Sequence, residues 1–416
     1  MRARRLAATA GRHLAASVGP IIAAISQFTL ALVLLHGVSG GEFGIAAILL
    51  IISQLALSIS SSLLCAPFQV ASHNVDNQDL AFHAADLLLA WGAGLLTAAI
   101  GVWLGATPLD VGLFGLYTTI AVFRWFARAV AYARGEPMRT IVSDLVLGSS
   151  AIACISVMVL FDQVSLRWAF GSLLLSVSLS TLPFGRSFLP NRVTVASLRH
   201  ISQYRTVWQQ HSRWSLLGVV TTEVTVNAHA YLVTLILGPA AFAPVAAAAL
   251  LIRPVGLAMN ALSDFERPRM ARLVSAREGD TVRRAMSEFT LTLMLVWFSS
   301  VIGAIVLLLW WPSAVVPAQY ALRDFAIGAS LWFVVALVRI LRTPAGVLLQ
   351  ASGNFRELAH ASYASCAVSV VTVLGLILWA GAIWSVLGIF LGEVVVAWMI
   401  WKISGSIVSR NLVKQP

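Results

Sequence analysis

Little in this 416-residue chain is charged. Asp, Glu, Lys and Arg make up 11% of it, against about 25% in a soluble globular domain. Mean hydropathy is +0.87, so a fold with a polar, water-facing surface is excluded. Lysine is almost missing: Lys402 and Lys414 are the only two, and arginine supplies the rest of the 28 basic residues. No GxxxxGK[ST] stretch occurs, which excludes an ATP-hydrolysing phosphate loop. The three cysteines, Cys65, Cys154 and Cys366, lie in apolar segments with no pairing pattern, so their expected role is packing. His36, His73, His83 and His229 show no ligand spacing, and neither a metal nor another cofactor is expected. No connection offers room for an external catalytic domain with paired carboxylates. The chain is therefore expected not to be an enzyme.

What the chain does have is apolar runs of span length. Twelve are expected, over about 14–36, 43–66, 84–105, 109–131, 140–161, 164–185, 214–237, 241–264, 288–311, 322–343, 358–380 and 383–403. Each is near the roughly 20 residues that cross a bilayer. The N-terminal MRARRLAATAGRHLAAS is like a signal n-region, but the apolar run behind it continues to about Leu35, so it is expected to be a retained first span. The connections alternate in character. One set is short and carries only Arg167 and Arg323 as basic residues; nearly all the others lie on or near the opposite side, densest in 264–288. That bias places both termini in the cytoplasm, as an even span count requires. The +11 net charge therefore reports topology and implies no nucleic-acid partner.

The segment 186–213 interleaves Leu198, Ile201, Tyr204 and Trp208 with Arg192, Arg199, Arg205 and Arg213. It is expected to form an amphipathic linker at the cytoplasmic face between an N-terminal lobe, 1–185, and a C-terminal lobe, 214–416. The halves repeat each other. GGEFGIAAILLIISQ at 40–54 lies on PAAFAPVAAAALLIR at 239–253, and Arg124 with ARGEPMR at 133–139 matches Arg342 with ASGNFR at 351–356. Six spans followed by six in one orientation make a parallel repeat, a transporter signature with the substrate site expected where the halves meet.

Charges inside spans are the functional candidates, because each one at mid-bilayer costs roughly 2.5–3.5 kcal/mol on insertion scales. Arg253 stands near the centre of span eight and is followed by Pro254, which removes a backbone donor and kinks the helix. A guanidinium there can bind an anion with its planar fork, or pair with a neighbouring helix. Arg124 and Arg339 lie in the cytoplasmic thirds of their spans, where they can bind substrate or snorkel. Gln27, Gln54 and Asn227 are candidate substrate-binding amides that can equally bridge helices. Glu223 and Glu393 are candidate ion-coupling acids, each with a structural ion pair as the alternative. Asp86 and Asp144 lie near cytoplasmic ends, where solvation or pairing is expected. Pro20 joins Pro254 as an expected helix-kink residue.

The loop between spans two and three, FQVASHNVDNQDLAFH, has no Lys or Arg, unlike the basic loop of major-facilitator carriers. The EFG at 42–44, the Ala-rich second helix, FAPVAAAALLIRPVGLAMNALSDFERPRMARL at 242–273 and the basic loop with Gly279-Asp280 point elsewhere. With them the whole chain resembles the polysaccharide flippases, the O-antigen and exopolysaccharide branch of the multidrug/oligosaccharidyl-lipid/polysaccharide superfamily. The resemblance implies an all-α polytopic protein, with two six-helix lobes in a V around a central, cation-lined cavity. It implies movement of an undecaprenyl-diphosphate-linked oligosaccharide from the inner to the outer leaflet of a bacterial inner membrane, and carries over to Arg253, Pro254 and Gln54 as cavity residues. A polysaccharide polymerase and export machinery are the expected partners. Twelve spans, against fourteen in the lipid II flippase relatives, argue against a peptidoglycan role. A multidrug or metabolite antiporter of the same fold, or a non-transporting membrane assembly factor, is the alternative.

Overall fold

Apolar runs of span length have one way to satisfy their backbone in lipid without closing a barrel, and that is the helix. The computed structural model describes residues 22–70, 76–185, 195–276 and 278–411, and among them every regular element is helical. We number the main helices α1 (Ile22–Gly37), α2 (Gly40–Ser60), α3 (Asp76–Trp103), α4 (Pro108–Ala133), α5 (Pro137–Leu160), α6 (Leu166–Leu179), α7 (Arg213–Leu237), α8 (Pro239–Ala249), α9 (Arg253–Ser275), α10 (Gly279–Trp310), α11 (Leu322–Ala351), α12 (Phe355–Ala380) and α13 (Ser385–Asn411). Among the described residues ten helical stretches are long and apolar enough to cross a membrane, with α8 and α9 counting as one stretch, Pro239–Ser275. The two remaining expected spans correspond to α1, whose preceding residues, Pro20 among them, lie outside the described set, and to α6. That helix has only 14 residues. Its end is local chemistry: Pro183 disfavours a helical Leu182, and the chain tightens into a 3-10 turn at Leu182–Phe184.

The short, nearly uncharged connections are helix starts. Ser39 and Glu42 form a reciprocal capping box at α2, with the Ser39 N–H on Glu42 Oε2 at 3.0 Å and the Glu42 N–H on Ser39 Oγ at 3.3 Å. Thr107 caps α4, with Pro108 in its first turn. The charged stretch 264–288 is mostly not a loop. α9 continues to Ser275 and α10 begins at Gly279. Arg269 joins them by reaching Glu266 at 3.0 Å and Glu288 at 3.3 Å. Both helices thus run on into the charged stretch, where these ion pairs tie their ends together.

The chain divides into two compact units, Met1–Val220 and Thr221–Pro416, with the division inside α7. Each unit contains the same turn. In the first, the N–H groups of Arg134, Gly135 and Glu136 donate to the carbonyls of Val130, Tyr132 and Ala131. In the second, those of Ser352, Gly353 and Asn354 donate to Leu348, Gln350 and Leu349, and every partner stands 218 positions later. The central glycines have φ of +74° and +76°, a conformation that strains any residue with a Cβ. The repeat read from ARG and ASG is thus present as backbone geometry.

The linker lies within the first unit. Val195–Gln203 forms a 3-10 helix packed on α3, followed by Tyr204–Val207 and a π-turn at Trp208–Ser212. Tyr204 meets Phe82 edge-on at 5.8 Å, and its hydroxyl donates to Leu63 O at 2.5 Å, which Ser212 Oγ also reaches at 3.0 Å. Burial holds the Tyr204 phenol above its ordinary pKa. The apolar side expected to rest on lipid is therefore partly taken up by α3.

The tightest helix pair of the second unit is α12 with α13, where small residues let backbones touch. A Cβ on Gly388 would lie 2.6 Å from the backbone N and 2.8 Å from the Cα of Val373. Gly388→Ala is expected to lose about 1–3 kcal/mol of stability, read as a lower melting temperature in detergent. An unchanged melting curve would show that these helices separate freely.

Candidate functional site

The second half of the eighth span begins at a break. Pro254 has no N–H to give Leu250 O, and its ring crowds that carbonyl. The Arg253 N–H takes Leu250 O instead, and Leu250–Ile252 winds as a 3-10 turn between α8 and α9. Arg253 is the first residue of α9 and is partly buried. Among the described residues no carboxylate and no hydrogen-bond acceptor reaches its side chain.

The other arginines deep in the spans are committed. On α4, Arg124, 6% exposed, donates Nη2 to Asp144 Oδ1 of α5 and Nε to Ser143 Oγ at 3.0 Å. Ser143 Oγ in turn donates to Ser180 O at 2.6 Å, which ties α6 into the same network. One turn on, Arg128 reaches Asp144 Oδ2 at 2.9 Å and lies over the Trp125 ring at 4.7 Å. On α11, Arg339 and Arg342 hold the two oxygens of Glu393 of α13 at 2.8 and 2.7 Å. Glu393 is 1% exposed. Each network sets two cations on one buried carboxylate and stitches the fourth span of its half to a neighbour.

Arg124 and Arg339, expected to bind substrate, and Glu393, expected to couple an ion, are thus engaged in structural ion pairs. Arg339 keeps one buried donor, Nη2, without a partner among the described residues. His229, 4% exposed and 4.9 Å edge-on to Trp332, packs in the same unit. Glu223 and Asn227 share a face of α7, and Asn227 Nδ2 donates to Glu223 Oε2 at 3.0 Å. Gln54 is exposed and Gln27 partly buried, and neither amide bridges helices among the described residues. Pro20 lies outside the described residues.

The sequence reading passed over one participant and misjudged another residue. Arg128 was legible as the i+4 partner of Arg124, a spacing that puts both on one helix face. Asp86, expected to be solvated or paired, is 2% exposed with Oδ1 unpartnered among the described residues, in a helix covered by α2, α4 and the 3-10 helix of the linker.

No protein-family model and no curated protein matches the chain. Solved structures do. A multidrug resistance transporter of the MATE family and MOP superfamily, in an inward-facing conformation, aligns with a TM-score of 0.68 at 12% identity, over 97% of this chain and all of the other. The lipid II flippase MurJ aligns with a TM-score of 0.70 at 10% identity, over 93% of this chain and 86% of the other. A MOP superfamily transporter from Pyrococcus furiosus, described as having a binding pocket of reverse polarity, aligns with a TM-score of 0.58 at 13% identity, over 97% and 95%. At such identities the likeness is one of fold, and the fold is that of these transporters.

Proposed function

We propose that this chain is a membrane transporter that moves a lipid-linked, diphosphate-bearing oligosaccharide, of the undecaprenyl-diphosphate class, from the inner to the outer leaflet of a bacterial cytoplasmic membrane by alternating access. The observation that carries the proposal is Arg253. It is a permanent cation at a helix break in an apolar span, with no countercharge among the described residues, in a protein that pairs its other deep arginines. A diphosphate supplies the missing anion, and the guanidinium fork matches its oxygens two at a time. Gln54, exposed on α2, is proposed as a sugar-binding amide. The fold supports the proposal, since the lipid II flippase shares it. A polymerase and export machinery would take the product.

A cation-coupled multidrug or metabolite antiporter has one observation in its favour, the Glu223 carboxylate held by Asn227 on α7. In the flippase proposal that acid takes the coupling role. Gene deletion separates the two. The expected result is accumulation of one lipid-linked glycan on the cytoplasmic leaflet with loss of surface polysaccharide. Unchanged polysaccharide with heightened drug sensitivity would establish the antiporter instead.

A further inference from the structure

Asp86 on α3 is the one carboxylate among the described residues that is both buried and without any bond. It is 2% exposed, and Oδ1 is sealed from solvent and accepts nothing. Nε of Arg128, on α4, and Nδ1 of His200, on the 3-10 helix packed against α3, are likewise sealed without partners among the described residues. α2, which also packs against α3, runs into a π-turn, Ser61–Cys65, that packs on both α3 and α4.

Among the described residues no surrounding cation is bonded to Asp86. Arg128 is drawn to Asp144, with its Nη2 on Oδ2 at 2.9 Å. His83, on α3 itself, stands edge-on to Phe126 at 5.3 Å. Tyr204 gives its hydroxyl to Leu63 O, and His200, on the 3-10 helix against α3, has a buried Nδ1 without a partner. Glu42 stands at the far end of α2. An ionised carboxylate buried this far without a partner costs several kcal/mol, whereas the neutral acid avoids most of that penalty.

We infer that Asp86 is a proton-binding site. Packing of α3 against the π-turn and α4 holds it as the neutral acid; when that packing loosens and water enters, the O–H bond breaks, the proton passes to water and the carboxylate stays behind, solvated. The π-turn is the element suited to loosening, since such turns interrupt the regular ladder and recur at functional sites. The proton site stands on its own. Its use in driving transport rests on the function proposed above.

Infrared difference spectra of the purified protein in lipid, titrated with pH, test the site. The wild type is expected to show a protonated-carboxyl band at neutral pH that Asp86→Asn, a near isostere of the neutral acid, removes. Absence of the band from the wild type, or its survival in Asp86→Asn, overturns the inference. If Asp86→Asn does not fold, Asp86→Glu serves in its place: the band must move in frequency or midpoint, and an unmoved band overturns the site. In vesicles with an imposed pH gradient, uptake of a labelled undecaprenyl-diphosphate saccharide should be stimulated in the wild type and unstimulated in Asp86→Asn. A band lost in Asp86→Asn, with no uptake by either protein, sustains the proton site and removes the transport proposal. Wild-type uptake with an unaffected band does the reverse.

Discussion

Arg253→Ala is expected to lose substrate while gaining stability, or at worst leaving it unchanged. A charge-assisted bond to an anion contributes about 1.5–3 kcal/mol, so affinity for a diphosphate-linked saccharide should fall roughly 10- to 150-fold. Removing an uncompensated cation from an apolar span works in the opposite direction on folding, because nothing in the described structure loses a partner. The two signs distinguish a binding residue from a structural one. Arg253→Lys keeps the charge but loses the fork, and should recover only part of the affinity. Binding of labelled lipid-linked saccharide to the detergent-purified variants, run beside thermal melts, measures both. Undiminished binding by Arg253→Ala would remove the residue from the mechanism. A fall in melting temperature would mean that Arg253 has a structural partner.

Glu393→Gln should do the opposite and damage the fold. Two guanidinium groups, those of Arg339 and Arg342, close on a carboxylate that is 1% exposed. Neutralising it leaves two like charges facing each other in a low-dielectric interior. Breaking a buried pair this way costs about 3–5 kcal/mol. The variant is expected to melt far below the wild type, or to be lost from membranes altogether. The double change Glu393→Gln with Arg342→Gln should recover part of the loss, since it removes a stranded cation as well. If Glu393→Gln melts like the wild type but transports without coupling, the acid is an ion site after all and the pair is incidental.

The span count was legible because hydrocarbon imposes one rule on every segment, and the rule is one of length. The repeat was legible because a left-handed glycine after a helix leaves a residue signature, as at Gly135 and Gly353. The charged stretch 264–288 misled because composition marks what is polar without saying whether it is helical, and salt bridges such as Arg269 to Glu288 let two helices run on into it. Pairing was the least legible property. Nothing in the order of residues says that Arg124 meets an acid on the next helix whereas Arg339 meets one two helices away, because that depends on which faces pack. Asp86 was misjudged for the same reason: distance from the end of a span is readable, and coverage by neighbouring helices is not. The helix break at Arg253 was readable because it is written locally, in the proline beside it.

The twin turns at 134–136 and 352–354 bear on how such a protein came about. A duplicated ancestor would have passed the same arginine slot to both descendants, as Arg124 and Arg342. The acid that answers it now comes from α5 in one and α13 in the other. The slot is common to both halves, and its countercharge is not. Each half therefore carries its own internal brace, so a change that loosens one leaves the other's clamp intact.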